Sequence, residues 1–165
     1  KNTDLFFETL FKIKSDGIKF KLVVLGENYS NYPDIFNKAR THLADEILHF
    51  GYCENFCEYN KWLNIANIIP VTSMQDFFGI SIIEAIYCNN YPILPNRLSY
   101  PEIYDYHNNN NIFYETEKEL YDKIKFAITN YLDLPTYHKI SREYDWSVMS
   151  SKYDDMFEEM IEANF

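Results

Sequence analysis

The sequence predicts an α/β domain in which a doubly wound parallel sheet carries helices on both faces. Three observations predict it. Short, β-branched apolar runs alternate strictly with segments whose apolar residues recur at helical spacing. Two of those runs stop directly on a glycine, Gly26 and Gly51. A third passes through a short loop to Gly79 and then into a helical pattern, the arrangement by which such domains turn a helix N-terminus toward an anion. Alternation of this kind is built from parallel strands joined by right-handed crossovers.

Taken in order, Thr3 or Asp4 caps a first helix, whose stripe of Leu5, Phe6, Leu10, Phe11 and Ile13 stops at Asp16-Gly17. Residues 20–25 form the first strand and end at Gly26. Pro33 opens a second helix over 34–43, because its fixed φ suits a first helical turn, with Ile35, Phe36, Ala39 and Leu43 facing inward. Residues 47–50 form the second strand and 58–66 the third helix; 67–71 form the third strand and 79–89 the fourth helix. The fourth strand covers 91–94, with Pro92 tolerated near its start. The asparagine run 108–111 marks an exposed loop, followed by a fifth strand at 112–114 and a fifth helix over 116–131. From 135 onward the pattern is helical, with a break near 144–146. Without internal repeats, residues 1–165 read as a single domain: a core over 1–143 and a C-terminal helical extension over 144–165.

A chain of 165 residues with 47% hydrophobic and 18% aromatic content can bury a real core and is not disordered. A net charge of −10 argues against this segment gripping a nucleic-acid backbone, which takes clustered Lys and Arg. The acid is spread out and densest in the last helix, as on a solvated face. Cys53, Cys57 and Cys88 make an odd set without framework spacing, which fits reduced thiols in a cytoplasmic protein. Cys53 and Cys57 can share a helix face, but no Cys or His set completes a zinc site and no metal is expected. Asn28-Tyr29-Ser30 matches a glycosylation sequon that nothing else in the sequence supports. No signal peptide or apolar run of membrane length is visible in these residues. The chain opens on Lys1 rather than Met, so the expectation is a piece of something longer.

The chemistry concentrates in residues 73–85. Asp76 precedes a Phe77-Phe78-Gly79 turn, and Glu84 follows about 1.5 turns into the helix, roughly 7–8 Å along its axis from Gly79. Gly79 lets backbone N–H groups approach an anion, and the helix dipole adds to the attraction. The two acids suit hydroxyls on either side of that anion, the layout of a nucleotide-sugar: sugar, diphosphate, ribose. Asp76 can instead be a plain helix cap. Glu84, among Ile82, Ile83, Ala85 and Ile86, needs a partner or ligand to be tolerated. Phe77 and Phe78 read as core side chains whose amides are the better ligand candidates, and the Thr72 and Ser73 hydroxyls read as loop or cap groups. His42, His49, His107 and His138 lie far apart in sequence and take no catalytic role.

The span from Asp76 to Glu84 resembles the E-x7-E motif of the retaining glycosyltransferases of family 4, which have the two-domain GT-B fold. Residues 20–26, 47–52, 84–93 and 100–103 are similar to the C-terminal half of one subgroup, the tRNA-queuosine α-mannosyltransferases, and the likeness is good over 1–103. The break at Tyr144-Asp145-Trp146 resembles the family's C-terminal crossover. The resemblance implies a Rossmann-like donor-binding half whose N-terminal acceptor domain lies outside this chain. It implies that Asp76 contacts sugar hydroxyls, although the family usually has the longer Glu there. The amides of Phe77, Phe78, Gly79 and Ile80 face sugar and diphosphate, Glu84 binds the ribose, and Gly51 and Tyr52 sit beside the base. Lys1 stands for the Lys of an Arg-x4-Lys pair that neutralises the diphosphate. The donor is then GDP-mannose, the anomeric configuration is retained, no metal is needed, and a tRNA acceptor is bound by the missing domain. Other readings stay open from the residues themselves: a family 4 enzyme using a UDP-sugar for a saccharide or lipid acceptor, or a non-catalytic Rossmann-like binding module. A receiver module is disfavoured by Val71-Thr72-Ser73 at the end of the third strand, and a dinucleotide enzyme by the absence of a Gly-x-Gly-x-x-Gly fingerprint.

Overall fold

The structure is a computed structural model describing residues 1–26 and 33–162. The sequon at Asn28 lies outside the described residues. Helices and strands alternate as expected: α1 (Thr3–Ser15), β1 (Leu22–Leu25), α2 (Ile35–His42), β2 (Ile47–Gly51), α3 (Phe56–Ile65), β3 (Ile68–Pro70), α4 (Ile80–Tyr87) and β4 (Tyr91–Pro95). They continue through α5 (Tyr100–Ile103), α6 (Tyr106–Asn109), a 3₁₀ turn (Asn110–Ile112), β5 (Phe113–Tyr114), α7 (Glu117–Thr129), α8 (His138–Arg142) and α9 (Trp146–Glu162).

Local chemistry sets the element ends. Gly17, at φ +76°, terminates α1. Helix α3 starts at Phe56, ahead of the expected residue 58, because the Asn55 side chain accepts from the Glu58 N–H at 2.9 Å and caps it. Thr116 caps α7 in the same way. The asparagine run is not an open loop. Asp105 accepts from Asn108, and the Asn109 amide donates to the Tyr104 carbonyl, so these side chains close two short helical turns. Cys53 lies ahead of α3 and Cys57 within it, so the two do not share a helix face, and Cys57 is exposed.

All strand pairs are parallel, but the described residues form two sheets: β1 with β2, and β3–β4–β5. The expected single sheet is divided where β1 faces β3. A cavity of about 380 Å³ is lined there by Val24 and Leu25 on one side and Ile69 and Pro70 on the other. Pro70 has no N–H to give to a neighbour on that side. Helices α4 and α7 both pack on β3 and β4. Helix α4 neighbours α3 and α8, while α1 neighbours α2 and α7, giving a helical layer on each face. One continuous core joins them, with Ile13, Ala39, Leu43, Ile86, Ile93, Leu94, Leu120 and Ala127 fully buried. The inward positions Ile35, Ala39 and Leu43 are buried and Phe36 is partly so.

Helix α9 buries none of its residues and leaves Trp146, Met156, Phe157 and Met160 exposed. Its start is fixed by Asp145, which caps it through Ser147 and accepts from the Tyr87 hydroxyl of α4 at 2.9 Å. Among the described residues no helix is long and apolar enough to cross a membrane.

Asn90 is almost fully buried and its Nδ2 donates to the carbonyls of Leu63 (2.7 Å) and Ala85 (2.9 Å), tying α3 to the end of α4. Asn90→Ala strands the Leu63 carbonyl and leaves the Ala85 carbonyl only the Asn90 backbone N–H. It should lower stability by about 2–3 kcal/mol, read as a shifted midpoint at unchanged slope in urea unfolding; a shift under about 0.5 kcal/mol contradicts this account.

Candidate functional site

Gly79 makes the strand-to-helix turn possible. It is the N-cap of α4 at φ +77°. A Cβ there would stand 3.1 Å from Ile82 Cδ1 and 3.2 Å from Tyr100 Cε1, so both conformation and space call for glycine. The Gly79 carbonyl accepts from the N–H groups of Ile82 and Ile83, so Ile80 and Ser81 precede the helical ladder with N–H groups directed out of the helix start.

The loop that leads into this turn is held through its carbonyls. Tyr114 donates to the Val71 carbonyl (2.7 Å), Arg97 Nε to the Ser73 carbonyl (3.0 Å) and Ser99 to the Phe77 carbonyl (3.1 Å). The buried Thr72 hydroxyl lies 3.0 Å from the carbonyls of both Lys1 and Asn2, anchoring the chain start beside the loop. This is the structural role expected for Thr72. Tyr100, Arg97 and Ser99 were not singled out from the sequence, because they act from a separate element.

Asp76 does not cap α4. Its carboxylate is largely buried, accepts from the Lys1 ammonium at 2.5 Å and from the Tyr100 hydroxyl at 3.1 Å. Burial alone would push its pKa up, but Lys1, Tyr100 and the Phe77 N–H together hold it below the usual carboxylate value. Burial and the facing Asp76 raise the Tyr100 phenol to about 12. Lys1 also lines the 380 Å³ cavity together with Gly51, Thr72, Ser73 and Ser81. The structure thus brings Lys1 and Asp76 together at the start of α4, while Asp76 lines neither cavity described here.

Glu84 lies one side of a second cavity of about 500 Å³, with Tyr52, Glu54 and Tyr59. The two cavities share Leu25 and Gly26, at the carboxyl end of β1. Glu84 Oε2 accepts from the Tyr59 hydroxyl at 2.7 Å, which supplies the partner that its apolar setting demands. Burial and then Glu84 push the Tyr59 phenol well above its ordinary value, so it remains a donor. Tyr59 carries no signal in the sequence: its contact spans two helices and depends on their packing. Gly51 lines the first cavity and Tyr52 the second. Phe77 and Phe78 are not core side chains: Phe77 is 91% exposed and Phe78 41% exposed, and Ile80 is also exposed, because a loop held by its carbonyls turns these side chains outward. Phe78 packs edge-on against Tyr144 at 5.1 Å.

Comparison with known proteins adds a family to this geometry. The model of the family "Glycosyl transferases group 1" matches residues 1–144. The chain is similar to a tRNA-queuosine alpha-mannosyltransferase of Drosophila melanogaster, with 36% identity over 122 residues, 74% of this chain and 32% of that protein. The chain therefore spans about a third of the length of the curated relative it matches. No solved structure matches.

The lowered pKa of Asp76 fixes a pH dependence. A carboxyl depressed on folding adds stability above its unfolded value near about 4, and this is lost as pH falls through the lower folded value. The wild-type chain should lose stability on acidification below about pH 4 more steeply than Asp76→Asn. Parallel unfolding curves from pH 6 to pH 2 check this, and superimposable pH profiles for the two chains would sink it.

Proposed function

The chain belongs to the glycosyl transferases of group 1, and on that premise we propose that it is the nucleotide-sugar donor-binding half of a retaining GT-B enzyme. The observation that carries the reading is the pair of adjoining cavities at the carboxyl ends of the strands, one against Lys1 and the start of α4, the other against Glu84 and Tyr52. A nucleoside diphosphate-sugar spans them. The diphosphate sits at the α4 N-terminus, where N–H groups and the Lys1 ammonium offset its charge. Ribose hydroxyls donate to Glu84, already poised by Tyr59, and the base lies by Gly51 and Tyr52. Asp76 receives the sugar hydroxyls once Lys1 turns from it to the phosphates.

The donor proposed is GDP-mannose and the acceptor queuosine in tRNA. The name of the fly relative supports both the sugar and the acceptor. Transfer proceeds with retention and without a nucleophilic carboxylate or a metal, because Lys1 and the helix N-terminus stabilise the leaving diphosphate. An N-terminal domain of the whole enzyme holds the acceptor, residues 144–162 cross toward it, and the protein works in the cytoplasm. A segment of net charge −10 then has no part in gripping tRNA and does not turn over by itself.

Calorimetric titration with GDP, UDP and GDP-mannose tests the donor. GDP and GDP-mannose should bind in preference to UDP. Glu84→Ala should weaken GDP about 10- to 100-fold, and Tyr59→Phe about 3- to 10-fold, as expected for losing a charged and a neutral hydrogen-bond partner. Preference for UDP would move the assignment to a UDP-sugar enzyme of the same family. A gel-shift at low salt tests the acceptor placement: the chain should leave tRNA unshifted, and tight binding would overturn that placement.

A further inference from the structure

Beside the base-side loop the fold assembles three side chains that the sequence keeps apart. His49 stands on β2, Cys53 in the following loop and Glu58 in the first turn of α3. His49 Nε2 lies 3.8 Å from Cys53 Sγ, and His49 Nδ1 lies 3.9 Å from Glu58 Oε1. With one donor atom from each residue, the three atoms all fall within 4.8 Å of one another. Donor atoms around one tetrahedral zinc, with bonds of about 2.0–2.3 Å, lie roughly 3.3–3.7 Å apart, so modest side-chain rotation closes the set.

The supporting contacts suit a ligand set. The His49 ring packs on the Trp62 ring at 5.3 Å with Nε2 3.3 Å from the Gly51 carbonyl, so with Nε2–H donating there the Nδ1 lone pair is left for the cation. Glu58 divides its labour: Oε2 accepts from the Glu54 N–H and braces the helix start, while Oε1 is the oxygen that faces His49. Cys53 is half-buried. A thiolate and a carboxylate together carry two negative charges, which a divalent cation neutralises on binding. A sulfur, nitrogen and oxygen set selects the zinc class over calcium or magnesium, which prefer oxygen alone.

We propose that His49, Cys53 and Glu58 form a three-ligand site for a zinc-class divalent cation. Its fourth position opens to the 500 Å³ cavity that Cys53 also lines. On binding, the Cys53 proton leaves to solvent and a sulfur–metal bond forms, so the cation ties the end of β2 to the start of α3 and fixes the Tyr52 loop between them. This is a site separate from the diphosphate position at α4, and it calls for no step of sugar transfer to pass through a metal.

Cysteine alkylation read peptide by peptide in the intact protein tests the site without any nucleotide. Stoichiometric zinc should slow Cys53 modification about 10-fold or more, leave the exposed Cys57 unchanged, and lose its effect to a chelator. The same titration with cobalt(II) should give a thiolate-to-metal charge-transfer band that is absent in Cys53→Ser and present in Cys57→Ser. His49→Ala should abolish protection of Cys53. Equal Cys53 rates with and without zinc in the unsubstituted protein, or protection that survives His49→Ala, overturns the proposal.

Discussion

The strand-to-helix turn depends on one constraint: the carbonyls of the loop before α4 are taken up by donors from the next β–α unit. Tyr114, Arg97 and Ser99 reach the carbonyls of Val71, Ser73 and Phe77. With its acceptors occupied, the loop cannot turn them toward the helix start, and the first N–H groups of α4 are left facing outward. Each such bond is worth only about 1 kcal/mol net, but a buried carbonyl without its donor costs more than that, so the set specifies one loop conformation. Gly79 completes the arrangement, because only a residue without Cβ fits both its φ of +77° and the approach of Tyr100.

Charge is balanced locally at that turn. Asp76 is largely buried and keeps its charge through Lys1 and Tyr100. Glu84 faces the same difficulty one helix face away and resolves it with the Tyr59 hydroxyl. In both places a carboxylate is paired with a hydrogen-bond donor, which offsets the cost of taking its charge out of water. The sheet is divided as well. Where β1 and β3 do not pair, the strand ends diverge around a cavity at the very edge where doubly wound sheets collect ligands.

The rim of this region is unusually apolar for a surface. Phe77, Ile80, Tyr52 and Phe56 are all exposed around it, and the exposed aromatic and methionine face of α9 begins at Trp146. A monomeric domain gains nothing by leaving such side chains in water. The 122 residues matched make up 32% of the fly relative, so that protein is more than twice the length of this chain of 165 residues.

The sequence by itself determined the order and type of most elements, because hydrophobic period, caps and glycines act within a few residues. The strands ending at Gly26 and Gly51, the Phe-Phe-Gly turn and the break before Trp146 were all legible that way. So was the placing of an acid on each side of the α4 start, since helix geometry converts spacing into distance. The asparagine run at 108–111 is exposed as expected, but it forms helical turns where a loop is expected, because side-chain bonds to Asp105 and Tyr104, three to five residues back, offset the weak helix propensity of Asn. Only the tertiary structure decided that Asp76 pairs with Lys1 rather than capping a helix, that Tyr59 holds Glu84, that Phe77 and Phe78 turn outward, and that His49 meets Cys53 and Glu58. These contacts join separate elements, and their energies depend on burial and orientation, quantities that exist only once the layers have packed.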